Sequence, residues 1–178
     1  MKIRVAVLFG GESVEHEVSI ISASQAMNAL NPEKYEVVPV YISKDRDFYS
    51  GPELRNVQTF TDMNTLKKNV PLVHLVKKDG KVVVEPLKKS FFKKSEEVVI
   101  DLAIPVMHGT NGEDGSIQGL LEMLKLPYAG CDVIAAGCGQ DKSVMKHMLE
   151  NSGLPLCPWI WIYGCDYDDN KAEIKAKV

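Results

Sequence analysis

The order of elements in residues 3–42 limits the fold more than any other feature. Residues 3–9, Ile-Arg-Val-Ala-Val-Leu-Phe, are a short, mostly apolar run ended by Gly10-Gly11, the pattern of a buried strand. Ile20, Ala23, Met27 and Leu30 then recur at helical spacing on one face, and Asn31-Pro32 closes that run. Residues 35–42 supply a second strand. Strand, tight glycine loop, helix and strand in this order form a βαβ unit, from which a parallel sheet follows. The fold class is α/β with a Rossmann-like parallel sheet. Ligands of such open sheets bind at the carboxyl ends of the strands.

Residues 43–95 interrupt the rhythm. Residues 72–77 and 81–85 flank Lys78-Asp79-Gly80, a hairpin with Asp-Gly in its turn, and residues 66–69 are too short to assign. The lysine pairs at 88–89 and 93–94 read as a solvated face. The insert as a whole reads as an ornament on the sheet edge, with no chemistry of its own. Residues 98–106 return as one strand, and Pro105, which cannot donate to a ladder, marks its last residues. Ile117, Leu120, Leu121 and Leu124 form a helical stripe, with Asp114 as N-cap and Pro127 beyond its end. Residues 126–129 suit a further short strand. From Gly130 the chain is expected to begin a second domain, giving 1–130 and 131–178. In it Asp141 caps a helix with Met145, Met148 and Leu149 inward, residues 156–163 read as a strand, and a loosely helical tail follows. This second part looks cut off, being too small for a domain by itself.

Composition closes several classes. A net charge of −3 on 178 residues lacks the basic footprint of a nucleic-acid or anionic-membrane binder. No apolar run is long enough for a signal peptide or a membrane span. Cys131, Cys138, Cys157 and Cys165 show no Cys-x-x-Cys pair, so buried thiols in a reducing cytosol are expected, with no metal site. The expected location is cytoplasmic.

Two glycine loops follow strands that should be neighbours, residues 10–17 and residues 108–115, so they should face one crevice. The first lacks Gly-x-Gly-x-x-Gly, and no acidic residue ends the second strand to hold a ribose. Glu12, Glu15 and Glu17 crowd the helix start, where a phosphate would otherwise sit. Each would repel a phosphate, and attract an ammonium, by about 4 kcal/mol at about 4 Å and an effective dielectric near 20. The loop therefore suits an amine-bearing ligand. Glu12 and Glu17 are also explained by the helix dipole, which makes Glu15 the stronger candidate. His108 could position a substrate carboxylate or support Glu15, or it could be a core histidine bonded to Glu113. Glu113 and Asp114 read as scaffolding for the second loop, His16 as a weaker candidate, and His74 and His147 as surface residues. Lys142 stands in the first turn of a helix, where a cation opposes the dipole, and this suggests a nearby anion such as a phosphate.

Gly10-Gly11-x-Ser13-x-Glu15-His16-Glu17-Val18-Ser19 and His108-Gly109-x-x-Gly112-Glu113-Asp114-Gly115-x-x-Gln118-Gly119 together resemble the two N-terminal signatures of D-alanine–D-alanine ligases. Leu120-Leu121-Glu122, Pro127-Tyr128-x-Gly130 and Asp141-Lys142 continue the likeness, which covers nearly all of the chain outside the insert. One departure is Gln140, where the family commonly has Met before Asp-Lys. It would alter packing under the nucleotide without removing the lysine.

The resemblance implies an ATP-grasp enzyme: a Rossmann-like, pre-ATP-grasp domain with a hairpin insert, then the truncated start of an ATP-grasp domain. Such enzymes use ATP and magnesium to activate one D-alanine as an acyl phosphate. The amine of a second D-alanine then attacks, giving the dipeptide used in peptidoglycan. By position, Glu15 would hold the ammonium of the first D-alanine, His108 would lie near the same subsite, Ser19 and Gly109 would shape it, and Lys142 would contact ATP phosphates. The magnesium ligands, the catalytic arginine and the second-subsite residues are expected beyond Val178, so this chain alone should be inactive. The full-length protein is expected to be a homodimer. A D-alanine–D-lactate or D-alanine–D-serine ligase, a non-catalytic amino-acid-binding module and a nucleotide-binding Rossmann protein stay open as alternatives.

Overall fold

The computed structural model describes residues 2–87 and 97–177. These group into two compact units, Met1–Gln140 and Asp141–Val178.

The first unit is built on the expected βαβ. Strand β1 (Ile3–Gly10), helix α1 (His16–Ala29) and strand β2 (Tyr35–Ile42) follow in order, and β1 pairs with β2 in parallel, Phe9 opposite Tyr41. Alternation sends Val5, Val7 and Phe9 to one face, against Ile20, Ala23 and Met27 of α1. Ala6 and Leu8 go to the other, with Val38 and Val40. Residues 5–9 are fully buried, and each large apolar side chain removed from water contributes about 1.5–3 kcal/mol. At the strand's end Gly10 takes φ +90°, and a Cβ there would run into the Ile42 carbonyl and the Tyr41 ring. Only glycine can turn the chain there toward α1.

The insert supplies β3 (Phe48–Tyr49), two 3-10 turns (Pro52–Arg55 and Val57–Thr61), helix α2 (Met63–Asn69), β4 (Leu72–Lys78) and β5 (Lys81–Pro86). The hairpin forms as expected, with both turn residues at positive φ, Asp79 at 48° and Gly80 at 79°. Residues 66–69 are the end of α2, whose start is capped by the Asp62 carboxylate on the Asn64 and Thr65 amides. The insert is not an ornament. It extends the sheet with antiparallel strands, in the order β6-β5-β4-β3-β2-β1-β7, and adds Leu54, Leu66 and Val70 to the core over α1. Among the described strands, parallel pairing joins β2, β1 and β7. The lysine pairs at 88–89 and 93–94 lie outside the described residues.

The run at 98–106 is two strands, not one: β6 (Val98–Ile100) pairs antiparallel with β5, and β7 (Leu102–Pro105) pairs parallel with β1. Asp101 divides them. Its amide donates to the Arg4 carbonyl at 2.9 Å and its carboxylate accepts from the Arg4 amide at 2.8 Å, so the ladder returns on itself at this residue. Pro105 ends β7 opposite Leu8, as the missing donor requires.

Helix α3 (Ser116–Leu124) buries Ile117 and Leu121. Its N-cap position is Gly115, not Asp114, because the Asp114 carboxylate reaches across the turn to the Ser116 amide at 3.0 Å. Residues 126–129 make a single bridge, Tyr128 to Ala103, rather than a strand. Helix α4 (Val133–Gln140) follows. It packs against the start of α3 so closely that a Cβ on Gly115 would meet the Val133 carbonyl at 2.8 Å. The compact unit that holds α3 and α4 runs to Gln140.

In the second unit, Asp141 caps α5 (Lys142–Leu149) through the Ser143 and Val144 amides, as expected. Met148 points outward, 61% exposed, instead of inward. The strand expected at 156–163 does not form. No neighbouring strand takes its backbone groups among the described residues, and the segment makes ring contacts instead, Trp159 edge-on to His147 and Trp161 edge-on to Tyr163. Short helices α6 (Gly164–Asp169) and α7 (Lys171–Lys177) make the tail. All four cysteines are free, and three are exposed with Cys138 partly so, which corrects the expectation of buried thiols. They fall in a stretch whose apolar side chains are largely exposed. Among the described residues no helix is long and apolar enough to cross a membrane.

Candidate functional site

The site is assembled where β1 and β7 end side by side. Val106 donates its amide to the Leu8 carbonyl at 2.7 Å, just before each strand releases its glycine loop. Ser19, on the first turns of α1, clasps the two ends: its Oγ accepts from the Gly10 amide at 2.8 Å and donates to the Val106 carbonyl at 2.5 Å. Ser19 is fully buried, and its hydroxyl is committed to this clasp. It shapes the site through the backbone it holds.

The two loops meet. Gly109, at φ +64°, faces the turn before α1, and a Cβ on it would stand 2.6 Å from Ser13 Oγ and 3.2 Å from Glu15 Oε2. Ser13 in turn accepts from the Glu15 amide at 3.1 Å, and Glu15 occupies the N-cap position of α1 without capping it by its side chain. Its carboxylate is left over for something else.

The three carboxylates of the first loop are not equivalent. Glu12 pairs with Arg46 at 2.6 Å and also accepts from the Asn111 side-chain Nδ2 at 3.4 Å. Glu17 pairs with Lys44 at 2.7 Å, and that ammonium holds its carboxyl below the usual carboxylate range. Both cations come from the loop after β2. Among the described residues, the Glu15 carboxylate has neither a hydrogen bond nor an ion pair. Of the first loop's three carboxylates, Glu15 is therefore the one whose charge no cation offsets, beside the positive end of α1.

His108 stands at the start of the second loop, its Nε2 3.3 Å from Ser22 Oγ on α1 and its Nδ1 3.8 Å from Glu113 Oε1. It is half-buried and reaches both α1 and its own loop. Asp114 is scaffolding, as expected: it accepts from the Asn111 amide at 2.8 Å and from Ser116. Burial opposes its ionisation, but these N–H groups outweigh that and keep its carboxyl below the usual range. Gln118 pins the loop from beneath by donating to the Gly112 carbonyl at 3.1 Å. Glu15, His108, Ser19 and Gly109 are thus brought together in the first unit. Lys142 belongs to the second, exposed at the first residue of α5.

Residues 4–131 match the family described as D-Ala–D-Ala ligase N-terminus. The chain belongs to that family. A D-alanine–D-alanine ligase of Geobacillus thermodenitrificans is 40% identical over 165 residues, 90% of this chain and 43% of that protein. Among solved structures, the D-alanine–D-alanine ligase of Coxiella burnetii superposes with a TM-score of 0.83 at 28% identity, covering 99% of this chain and 49% of that one. One from Bacillus anthracis, solved in complex with ATP, superposes at 0.53 with 26% identity, covering 89% of this chain and 40% of that one. The chain thus spans about half the length, or less, of the ligases it matches.

Of three further residues that organise this ligase-family site, the sequence offers His16 only as a weaker candidate and does not single out Ser13 or Tyr41. Ser13 supports Glu15, and a serine two residues before the N-cap position of a helix is a local signal for it. His16 is buried, its Nδ1 2.5 Å from the Gly11 carbonyl and its Nε2 3.0 Å from the Tyr41 hydroxyl. Tyr41 is fully buried, and burial pushes its phenol well above the ordinary value. Neither interaction has a local signature. A cavity of about 420 Å³ opens behind His16 and Tyr41, walled by α1 and by Phe60 and Met63 of the insert. Glu15 and His108 lie outside it.

Proposed function

We propose that the full-length protein carrying this chain is an ATP-dependent D-alanine–D-alanine ligase of peptidoglycan synthesis, acting in the cytoplasm as a homodimer. In this reading the first unit supplies the subsite for the first D-alanine. The observation that carries the reading is the Glu15 carboxylate, the one member of its acidic loop without a partner among the described residues, set against Gly109. An ammonium there gains a charge-assisted hydrogen bond, which is stronger than a neutral one. Family membership supports D-alanine as the bearer of that ammonium. His108 then lies beside the bound amino acid, Ser19 fixes the backbone around it, and the missing side chain at Gly109 lets the ligand approach.

ATP is the phosphoryl donor in this reading, supported by the ATP complex of the Bacillus anthracis relative. Lys142 is proposed to contact its phosphates, and a domain division at 1–130 and 131–178 fits the family match, which ends at residue 131. Magnesium is proposed to accompany ATP in the full-length protein; among the described residues of this chain no group of three or more His, Cys, Asp or Glu side chains is placed to hold a metal ion. The test is phosphate release in the presence of ATP and D-alanine. The full-length protein releases phosphate and forms the dipeptide, and this 178-residue chain alone does neither. Turnover by the chain alone, or none by the full-length protein, would contradict the proposal.

A further inference from the structure

We infer that His16 is a positioning residue for Glu15, held in one tautomer by Tyr41 and by the Gly11 carbonyl. The inference rests on the reading of Glu15 as the ammonium anchor. A carbonyl oxygen can only accept, so the 2.5 Å contact to Gly11 requires the proton of His16 on Nδ1. In the neutral ring Nε2 is then an acceptor, and the Tyr41 hydroxyl donates to it at 3.0 Å. That hydroxyl also has Met63 Sδ at 3.9 Å, a weaker acceptor than the ring nitrogen.

The geometry gives the ring a task. Gly11 and His16 bracket residues 12–15, so the Nδ1–H bond closes that segment into a small ring with Glu15 on its last position. The His16 amide donates to the Ser13 carbonyl at 3.1 Å, and the Ser13 hydroxyl receives the Glu15 amide. Glu15 is thus held at its amide by Ser13 and at its carbonyl by the Ser19 amide, 3.0 Å away, while His16 closes the segment that leads into it. His16 is only 3% exposed and stacks edge-on against Tyr41, with ring centroids 5.5 Å apart. The nearest side chains to a Cβ on Gly109 are Ser13 and Glu15, so His16 acts on this approach through the loop it closes, as a positioning residue. Tyr41 and Met63 extend the chain of contacts from the site to α2, so the insert acts on the site through its packing.

The test is steady-state kinetics of the full-length ligase with His16→Leu, His16→Asn, Tyr41→Phe and, as reference, Glu15→Gln. Leucine keeps the bulk and removes both hydrogen bonds; asparagine restores a donor at the place of Nδ1. His16→Leu should raise the KM for the first D-alanine about tenfold while kcat falls less than about threefold, since it misplaces a binding group without removing one. His16→Asn should recover most of that loss, and Tyr41→Phe should raise the same KM about threefold. An unchanged KM, a fall in kcat alone, or an asparagine variant no better than leucine would overturn the inference. If His16→Leu fails to fold, Tyr41→Phe decides by the same criterion. Glu15→Gln separates the two ideas. If it leaves the first KM unchanged, the Glu15 reading fails; if it raises that KM and the His16 and Tyr41 variants do not, only the present inference fails.

Discussion

Gly109 and Glu15, 94 positions apart in the chain, stand so close that a Cβ added to the glycine would lie 3.2 Å from the carboxylate oxygen of the glutamate. The loop after β7 thus closes on the turn that begins α1, and the absent side chain is what leaves room above the carboxylate. The approach is held by the Ser19 clasp on one side and by the Ser13 hydroxyl on the other. Neither loop makes the site alone.

Gly109→Ala should therefore damage both stability and binding. The residue sits at φ +64°, where an L side chain costs about 1–2 kcal/mol, and the new methyl would also displace the Ser13 hydroxyl. Chemical denaturation should show a lower midpoint at unchanged slope, and affinity for the first D-alanine should fall. A variant with wild-type midpoint and affinity would refute the close approach.

Ser19→Ala tests the clasp. It strips the Gly10 amide and the Val106 carbonyl of a buried partner, and an unsatisfied buried group costs about 1–3 kcal/mol. A loss of at least about 2 kcal/mol in urea unfolding is expected. A loss below about 0.5 kcal/mol, the range of an ordinary surface change, would show that the clasp contributes little.

The hairpin gives a pH prediction. The Lys78 ammonium, and after it the His74 imidazole, bring the Glu85 carboxyl down from 4.5 to about 2. A depressed folded value means that its stabilising contribution is complete above 4.5 and is lost as the pH falls through about 2. Titration of Glu85 by NMR should find a midpoint near 2, and Lys78→Met should move it up toward 4.5. A midpoint near 4.5 in the unaltered protein would contradict the pairing.

Much of this architecture is legible in the sequence, for reasons that can be named. The βαβ unit shows because β1 is apolar on both faces and α1 repeats its apolar side at helical spacing. The hairpin shows because Asp79-Gly80 is suited to positive φ. The split of residues 98–106 does not show, because Asp101 looks like one polar residue in a strand until Arg4 is placed beside it. The role of the insert is hidden in the same way, since sheet extension depends on partners far along the chain. At the site, charge alone pointed to the acidic loop. The helix dipole already ranks Glu15 above Glu12 and Glu17, but the cations that occupy those two, Lys44 and Arg46, lie on a loop that only the fold brings across. The setting of His16 does not show in the sequence, because it lies in burial against Tyr41, which no local pattern records. The strand expected at 156–163 fails because apolar composition does not supply the neighbour that a strand requires.

The most direct test compares Glu15→Gln with Glu12→Gln in the full-length ligase, reading the KM for the first D-alanine. The Glu15 carboxylate has no partner among the described residues, whereas that of Glu12 is taken by Arg46 in an exposed pair. Replacing a carboxylate that binds an ammonium removes a charge-assisted hydrogen bond, so Glu15→Gln should raise that KM at least about tenfold. Glu12→Gln should change it less than about twofold, because an exposed ion pair carries little energy. Equal effects of the two substitutions, or an unchanged KM in Glu15→Gln, would contradict the assignment of Glu15 as the ammonium anchor.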